Sequence, residues 1–326
     1  MRALTIASVA VASLSATWAQ PLRFEKSIPL ACGEGRLGQL ALDTKEQRLF
    51  VPVLTSGIVD VIDVTNGKRL RSINGFRAPV SAAFDPVSNR LFVSSRQDGS
   101  VSIVDGKSYA LLQRIIWPGN ADTLRFEPSS KQVLVAYGTA VGVMDINGRQ
   151  LGSIRLDAAP ESFHASRSGP QVWINVPSTR AVAFADRNSR SVRQTWLVST
   201  AGSGGPNYGM AADEKNRRLF VTCRRPATLV TLHLDTGYRI DTRATVNNAD
   251  EVHYDAANRR LYIPGSDGQI DIVRQTTPDK YEPLARIPSA PGARTAALSA
   301  ELGRFFLAIP GRGSQSAEVR VYQILK

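Results

Sequence analysis

The sequence is poor in the residues that build disulfide frameworks and metal clusters. Its 326 residues include two cysteines and three histidines. One bridge is not a disulfide framework, and a chain of this length can fold without it. We therefore expect Cys32 and Cys223 to be unpaired thiols. The sequence also lacks a CxxCH motif, a GxSxG elbow, an HExxH motif and an EF-hand loop. Covalently attached c-type haem is thereby excluded, and no common hydrolase signature is present.

Long hydrophobic runs are also missing, and the chain contains no segment of transmembrane length. Arg2 is followed by an apolar run of 11 residues, Leu4–Leu14, which is too short to span a bilayer. Small residues then surround Trp18. This pattern is typical of a secretory signal peptide. We predict a signal peptide over residues 1–19, one domain over residues 20–326, and a periplasmic or secreted protein.

Acidic residues are outnumbered, because 28 Asp and Glu face 40 Lys and Arg, which gives a net charge of +12. A basic surface favours polyanions. However, the basic residues are scattered along the chain and never form a run of five. The charge is therefore compatible either with weak binding of a nucleic acid or acidic glycan, or with surface solubility alone.

A phrase of about 43 residues recurs throughout the chain after the predicted signal peptide. It consists of an apolar residue, an acidic anchor, a short polar turn with arginine, and an apolar strand, as in Phe84-Asp85 followed by Arg90-Leu91-Phe92-Val93. Seven copies are spaced 39 to 47 residues apart. Their anchors are Asp43, Asp85, Glu127, Ser166, Asp213, Asp255 and Ser299. Seven such copies, built of short alternating segments, predict an all-β fold, a closed seven-bladed β-propeller with four-stranded blades.

The two ends of the chain complement each other in this repeat. The seventh copy has three strand-like segments and lacks a fourth, whereas Leu22–Leu30 has strand character and precedes the first copy. We expect Leu22–Leu30 to complete blade seven and so close the ring, which removes exposed strand edges.

Two stretches carry a family resemblance. Residues 59–67 read VDVIDVTNG, and Arg218-Leu219-Phe220-Val221 forms a second short signature. They resemble the V-x-V-I-D-x-x-T-G and R-L-Y-V phrases of YVTN-repeat propellers, and the chain looks like the exported bacterial YncE-like group over residues 22–326. The resemblance implies the propeller fold. It implies no single activity, because lactonase-type and quinoprotein-type propellers are nearby.

One glycine motif is misleading. Gly33-Glu34-Gly35-Arg36-Leu37-Gly38 matches GxGxxG. A dinucleotide site needs a helix after the glycines, and here a strand pattern follows. We therefore expect a loop between blades and no nicotinamide cofactor.

Three blades depart from the repeat in the same register. Two residues before the anchor, the strand predicted to line the channel carries alanine in four blades. The other three blades carry Arg125, His164 and His253 there, and three residues earlier they carry Asp122, Glu161 and Asp250. Glu251 lies in the same segment. A residue and its third neighbour share one face of a strand only if the strand is bulged.

These seven residues form the candidate ligand site: Asp122, Arg125, Glu161, His164, Asp250, Glu251 and His253. Imidazole and carboxylate groups suit a divalent metal, so His164, His253, Glu161 and Asp250 are candidate metal ligands. Blade five, which has Gly209 at this level, is interpreted as leaving space for the ligand. The alternative is that the acidic and basic side chains pair with each other in a solvated channel.

The sequence favours a binding or scaffold protein that recognises a small ligand or a partner protein at the channel face. No catalytic residue is assigned, and we expect a monomer. A metal-dependent lactonase-type hydrolase, and a polyanion-binding protein, are the two alternatives. Metal content of the purified protein, and salt-dependent binding to DNA or acidic glycan, discriminate among them.

Overall fold

The computed structural model describes residues 20–199 and 205–326. The predicted signal peptide, residues 1–19, lies outside the described residues. The described part of the chain is almost entirely β-structure, and its one helix is a 3-10 turn at Pro177–Thr179. No helix in these ranges is long and apolar enough to cross a bilayer.

Seven four-stranded antiparallel sheets form the ring of a β-propeller, as the sequence predicts. The first strand of the chain is β1 (Leu22–Pro29). Blade one contains β2 (Ala41–Asp43), β3 (Arg48–Val53), β4 (Ile58–Asp63) and β5 (Lys68–Ile73). Blade two contains β6 (Pro79–Asp85), β7 (Arg90–Ser95), β8 (Ser100–Asp105) and β9 (Leu111–Ile116). Blade three contains β10 (Ala121–Glu127), β11 (Gln132–Tyr137), β12 (Ala140–Asp145) and β13 (Gln150–Arg155).

The remaining blades follow the same order from the channel outwards. Blade four contains β14 (Phe163–Ala165), β15 (Gln171–Val176), β16 (Ala181–Asp186) and β17 (Ser191–Leu197). Blade five contains β18 (Asn207–Asp213), β19 (Arg218–Arg224), β20 (Ala227–His233) and β21 (Arg239–Ala244). Blade six contains β22 (His253–Asp255), β23 (Arg260–Gly265), β24 (Asp267–Thr277) and β25 (Lys280–Pro291). Blade seven contains β26 (Thr295–Ser299), β27 (Arg304–Ile309) and β28 (Glu318–Ile324), with β1 as its outermost strand.

The predicted ring closure is confirmed. Strand β1 pairs antiparallel with β28, from Leu22 opposite Ile324 to Pro29 opposite Glu318. Leu22 and Ile28 are buried in this blade. The first and last strands of the described chain therefore share one sheet.

The acidic anchor of each repeat caps the turn that follows the innermost strand. The carboxylate of Asp43 accepts hydrogen bonds from the backbone N–H groups of Lys45 and Glu46, both at 3.2 Å. In blade seven the hydroxyl of Ser299 accepts one from the N–H of Leu302 at 3.1 Å. An Asp or Ser oxygen can satisfy turn N–H groups in either case, which explains why serine replaces the acid in two copies.

The arginine five residues after the anchor connects neighbouring blades. Arg90 of blade two donates to the carbonyl of Ile146 in blade three at 2.6 Å. Arg218 of blade five donates to the carbonyl of Pro278 in blade six at 3.2 Å. The hydrophobic clusters also span adjacent blades: Leu49 of blade one packs in the same cluster as Phe306 of blade seven. The core is thus a set of layers between blades.

Both cysteines are free thiols, as expected. Burial raises the pKa of each to about 11, with Asp60 adding to the effect at Cys32 and a hydrogen bond with Thr228 opposing it at Cys223. Neither group therefore has the lowered pKa of a reactive thiol.

Candidate functional site

A bulge near the start of β10 brings two predicted site residues, Asp122 and Arg125, to one face. In β10, one extra residue lies between Ala121, which pairs with Tyr137, and Leu124, which pairs with Val135. Ala121 and Leu124 are fully buried, whereas Asp122 and Arg125 are half-buried. Comparable register shifts occur near the starts of β6 and β18. The bulge is the condition under which an acid and the basic residue three positions later can share a face.

Each of the seven blades contributes one charged residue to the end of the channel where the innermost strands begin. We call this set the mouth ring. In blade order it consists of Arg36, Arg96, Asp122, Glu161, Arg224, Asp250 and Arg294. The ring has an arc of arginines from blades seven, one and two, and two neighbouring acids from blades three and four.

Ion pairs between adjacent blades account for five members of the mouth ring. Arg96 pairs with Asp122, and Arg224 pairs with Asp250. The second oxygen of Asp250 lies 2.6 Å from the Nε of Arg294. The guanidinium of Arg224 also stacks 3.3 Å above the ring centre of Tyr208. These contacts are charge-assisted, so they hold the side chains in place around the opening.

The other two members, Arg36 and Glu161, make no ion pair with any residue that the structure describes. Burial lowers the pKa of Arg36, and the positive charges of Arg294 and Arg96 lower it further, while Asp122 and Glu161 act in the opposite direction. Burial raises the pKa of Glu161, and Asp122 adds to this, while Arg224, Arg96 and Arg36 act in the opposite direction. Each residue is therefore partly desolvated and influenced by charges of both signs, and neither has a direct ion-pair partner, so each retains the capacity to pair with an opposite charge.

Deeper in the channel, Arg125 reaches across from blade three. Its Nη1 donates to the side-chain carbonyl of Gln39 in blade one at 3.1 Å and to the carbonyl of Leu124 at 2.8 Å. Burial lowers the pKa of Arg125, and the negative charge of Glu251 in blade six opposes this effect. Arg125 thus connects three blades below the mouth ring.

The two channel histidines have separate carboxylate partners. His253 Nε2 lies 3.3 Å from Glu251 Oε2. His164 Nε2 lies 2.9 Å from Glu214 Oε1, at the turn that follows β18. Among the residues that the structure describes, no group of three or more His, Cys, Asp or Glu side chains is arranged to hold a metal ion. The metal assignment to His164, His253, Glu161 and Asp250 remains a prediction.

The interpretation of Gly209 as leaving space for a ligand in blade five is wrong. A Cβ at Gly209 would lie 2.6 Å from Thr222 Oγ1 and 2.9 Å from the Cα of Glu251. The missing side chain allows blades five and six to approach each other closely. No room is left there for a ligand.

Sequence reasoning missed Arg96, Arg224 and Glu214. Arg96 and Arg224 each follow their anchor by eleven residues, and at this position the other five blades have Leu54, Gly138, Pro177, Ser266 and Pro310. The repeat alignment contains that signal, but only the ring geometry pairs Arg96 with Asp122 and Arg224 with Asp250. Glu214 directly follows the anchor Asp213 and lies just beyond the end of β18, whereas the predicted site residues lie on or before the innermost strands.

No family model matches the chain. A segment of 99 residues is 33% identical to protein YncE of Salmonella typhimurium and 32% identical to protein YncE of Salmonella typhi. The segment makes up 30% of this chain and spans only 27% of each relative.

Two solved structures share the architecture. A chain of Kuenenia stuttgartiensis hydrazine synthase superposes with a TM-score of 0.75 at 17% identity, covering 86% of this chain and 94% of that one. A chain of the mitotic checkpoint complex superposes with a TM-score of 0.78 at 13% identity, covering 100% and 99%. At such identities the likeness shows the fold alone. Together with the seven four-stranded sheets, these findings show that the chain is a seven-bladed β-propeller, one segment of which is similar to protein YncE.

Proposed function

We propose that this protein is a binding protein whose recognition site is the mouth ring, and that it binds a dipolar ligand or chain end. The observation that carries the proposal is the pair Arg36 and Glu161. They belong to blades one and four, on opposite sides of a seven-bladed ring, and neither has an ion-pair partner among the described residues.

The charges of the ring favour one orientation of such a ligand. An acidic group bound at Arg36 would also be attracted by Arg96 and Arg294, and it would relieve the repulsion among the three guanidiniums. An amino group at Glu161 would be attracted by Asp122 as well, which already raises the pKa of Glu161. A molecule with separate acidic and amino groups therefore complements both arcs, whereas a simple anion complements only one.

The test uses tri-alanine as a zwitterionic probe, together with its N-acetylated and C-amidated forms, in isothermal titration. We expect the zwitterion to bind about tenfold more tightly than either blocked form, because each block removes one charge-assisted contact. Binding should also weaken as the pH falls through the raised pKa of Glu161, because protonation removes its charge.

Two variants separate the arcs. Arg36→Ala should abolish the difference between tri-alanine and its amide, and Glu161→Gln should abolish the difference between tri-alanine and its acetyl form. Lys45→Ala and Glu46→Gln are the matched controls, because both residues are exposed on the turn between β2 and β3, at the other end of the innermost strands. Failure of tri-alanine to bind, or equal loss in the control variants, would refute the proposal.

We also propose that the protein is exported after cleavage near Ala19, on the strength of Arg2 and the short apolar run Leu4–Leu14. Mass spectrometry of the protein from the cells that naturally produce it should show a chain that begins near Gln20. An intact Met1 would contradict this.

A further inference from the structure

The contact between blades three and four inverts a pattern found at three other interfaces. At those three, a glycine in the turn between the third and fourth strands of one blade faces a long side chain on the outermost strand of the preceding blade. A Cβ at Gly148 would lie 2.9 Å from Gln113 Oε1, one at Gly67 would lie 2.9 Å from Lys26 Cδ, and one at Gly237 would lie 2.2 Å from Trp196. Between blades three and four, the glycine is Gly152 on the outer strand β13, and the long side chain is Arg190 on the turn.

Gly152 and Arg190 depend on each other. A Cβ at Gly152 would lie 2.5 Å from Nη1 and 2.6 Å from Cδ of Arg190, so the side chain of Arg190 lies in the space that glycine leaves open. Arg190 adopts φ 58, the left-handed region that Gly67, Gly148 and Gly237 occupy at φ 65, 85 and 69. A non-glycine residue there costs roughly 1 kcal/mol. Tyr109 of blade two is also left-handed at the equivalent position, at φ 62, so what distinguishes Arg190 is that its side chain fills the space beside Gly152. A strained residue in such a pair is a reason to look for a function.

The inversion borders a cavity of about 660 Å³ between the two blades. Its lining residues include Arg155 and Arg190 and four residues with hydroxyl groups, Tyr137, Thr139, Ser153 and Ser189. The hydroxyl of Tyr137 donates to that of Ser153 at 2.7 Å. No Asp or Glu is among the described residues that line the cavity. Within residues 20–199 and 205–326, neither Arg155 nor Arg190 makes an ion pair, in contrast to the arginines of the mouth ring that face carboxylates.

We propose that this cavity is a binding site for an anionic carbohydrate unit, a hydroxyl-rich ring that bears a carboxylate or phosphate group. Two guanidiniums without a counter-ion provide bidentate contacts for the acidic group. A hydroxyl group has one donor and two acceptor sites, so besides the Tyr137–Ser153 hydrogen bond these four side chains retain sites for the hydroxyls of a sugar. The volume lies in the range of small-molecule sites and is far larger than an isolated phosphate requires. No residue of the mouth ring lines this cavity, so the proposal of a sugar site does not depend on the function proposed above.

The first experiment titrates wild-type protein with glucuronate, glucose 6-phosphate, neutral glucose and inorganic phosphate. Both anionic sugars should bind at least about tenfold more tightly than glucose, which lacks the charge, and than phosphate, which lacks the ring. The ratio of the two anionic affinities then shows whether the site prefers a carboxylate or a phosphate ester. If neither anionic sugar binds, or if phosphate alone binds as tightly, the proposal is wrong.

The second experiment uses Arg190→Gly, which fits the left-handed turn and should leave the unfolding midpoint unchanged or raised. It should weaken binding of the preferred sugar about tenfold. Arg259→Gly is the matched control, because Arg259 is exposed and also left-handed, at φ 52, on blade six. Arg155→Ala removes the second guanidinium and should produce a similar loss without altering the turn. Unchanged affinity in both cavity variants, or an equal loss in Arg259→Gly, would overturn the assignment.

Discussion

Two histidines at equivalent repeat positions help to connect different pairs of blades, because their carboxylate partners differ. Glu251, the partner of His253, also accepts the backbone N–H of Ala296 at 2.7 Å, and it therefore ties blade six to blade seven. Glu214, the partner of His164, accepts the hydroxyl of Ser166 at 2.9 Å and ties blade five to blade four. At the residue scale, each imidazole–carboxylate contact is thus part of a blade-to-blade connection.

Glu214 should make the stability of the propeller depend on pH. Burial alone would raise its pKa, but hydrogen bonds from His164 and Ser166 outweigh burial and lower the pKa from 4.5 to about 2. Because the folded state binds this proton less tightly than the unfolded chain, the stabilisation is complete above about pH 4.5 and is lost as the pH falls toward 2. It amounts to at most about 3 kcal/mol.

Glu214→Gln should therefore lower the free energy of unfolding at pH 7 and approach the wild-type value near pH 2. Urea unfolding between pH 7 and pH 2 measures the two curves. Glu46→Gln, at an exposed carboxylate, should leave the wild-type curve unchanged. Parallel curves for wild type and Glu214→Gln would contradict this assignment of the pH dependence.

At the element scale, the sequence predicts the strands well because alternation and turn chemistry repeat seven times. In blade two, for example, the sequence pattern predicts strands over residues 80–84, 91–95, 100–104 and 111–116, and β6 to β9 match these to within one residue at each end. The mouth ring is harder to predict from the sequence than the strands are. Asp122, Glu161 and Asp250 stand out because they break the repeat, but Arg96 and Arg224 lie on other strands. Their pairing with these acids depends on how adjacent blades pack, which local patterns do not encode.

Gly209 illustrates the same limit and gives a direct test of blade packing. Its backbone is not in the left-handed region, so a substitution there acts through sterics alone. Gly209→Ala should destabilise the fold by about 1–3 kcal/mol, because the new Cβ would meet Thr222 and the backbone of Glu251. Gly33→Ala is the control, since a Cβ there meets nothing within 4 Å. Thermal unfolding of both variants tests whether the close approach of blades five and six requires glycine at position 209. Equal unfolding midpoints would mean that the two blades can move apart without loss of stability.

At the scale of the whole molecule, the ring is held by contacts that recur between neighbouring blades and is closed by one strand pair. Arg90 and Arg218 connect adjacent blades through carbonyl groups, and the hydrophobic clusters lie across the same interfaces. Blade seven alone joins distant parts of the sequence, because β1 pairs with β28. Closure therefore depends on a single short segment, whose loss would expose the edge of β28.

Deleting residues 20–31 should open the ring, and restoring the strand at the other end of the chain should close it again. The deletion removes the buried side chains of Leu22 and Ile28, so we expect a lower unfolding midpoint and aggregation. The N–H of Leu325 donates to the carbonyl of Pro21 at 3.0 Å, so β28 ends where β1 begins. Residues 22–30 attached after Lys326 through an Asn-Gly turn can therefore form an antiparallel hairpin in the original register. This variant should recover most of the lost stability, whereas the same variant with Ile28→Asp should not. Scanning calorimetry and light scattering measure both effects, and a deletion that unfolds at the wild-type midpoint would show that the pairing of β1 with β28 contributes nothing to closure.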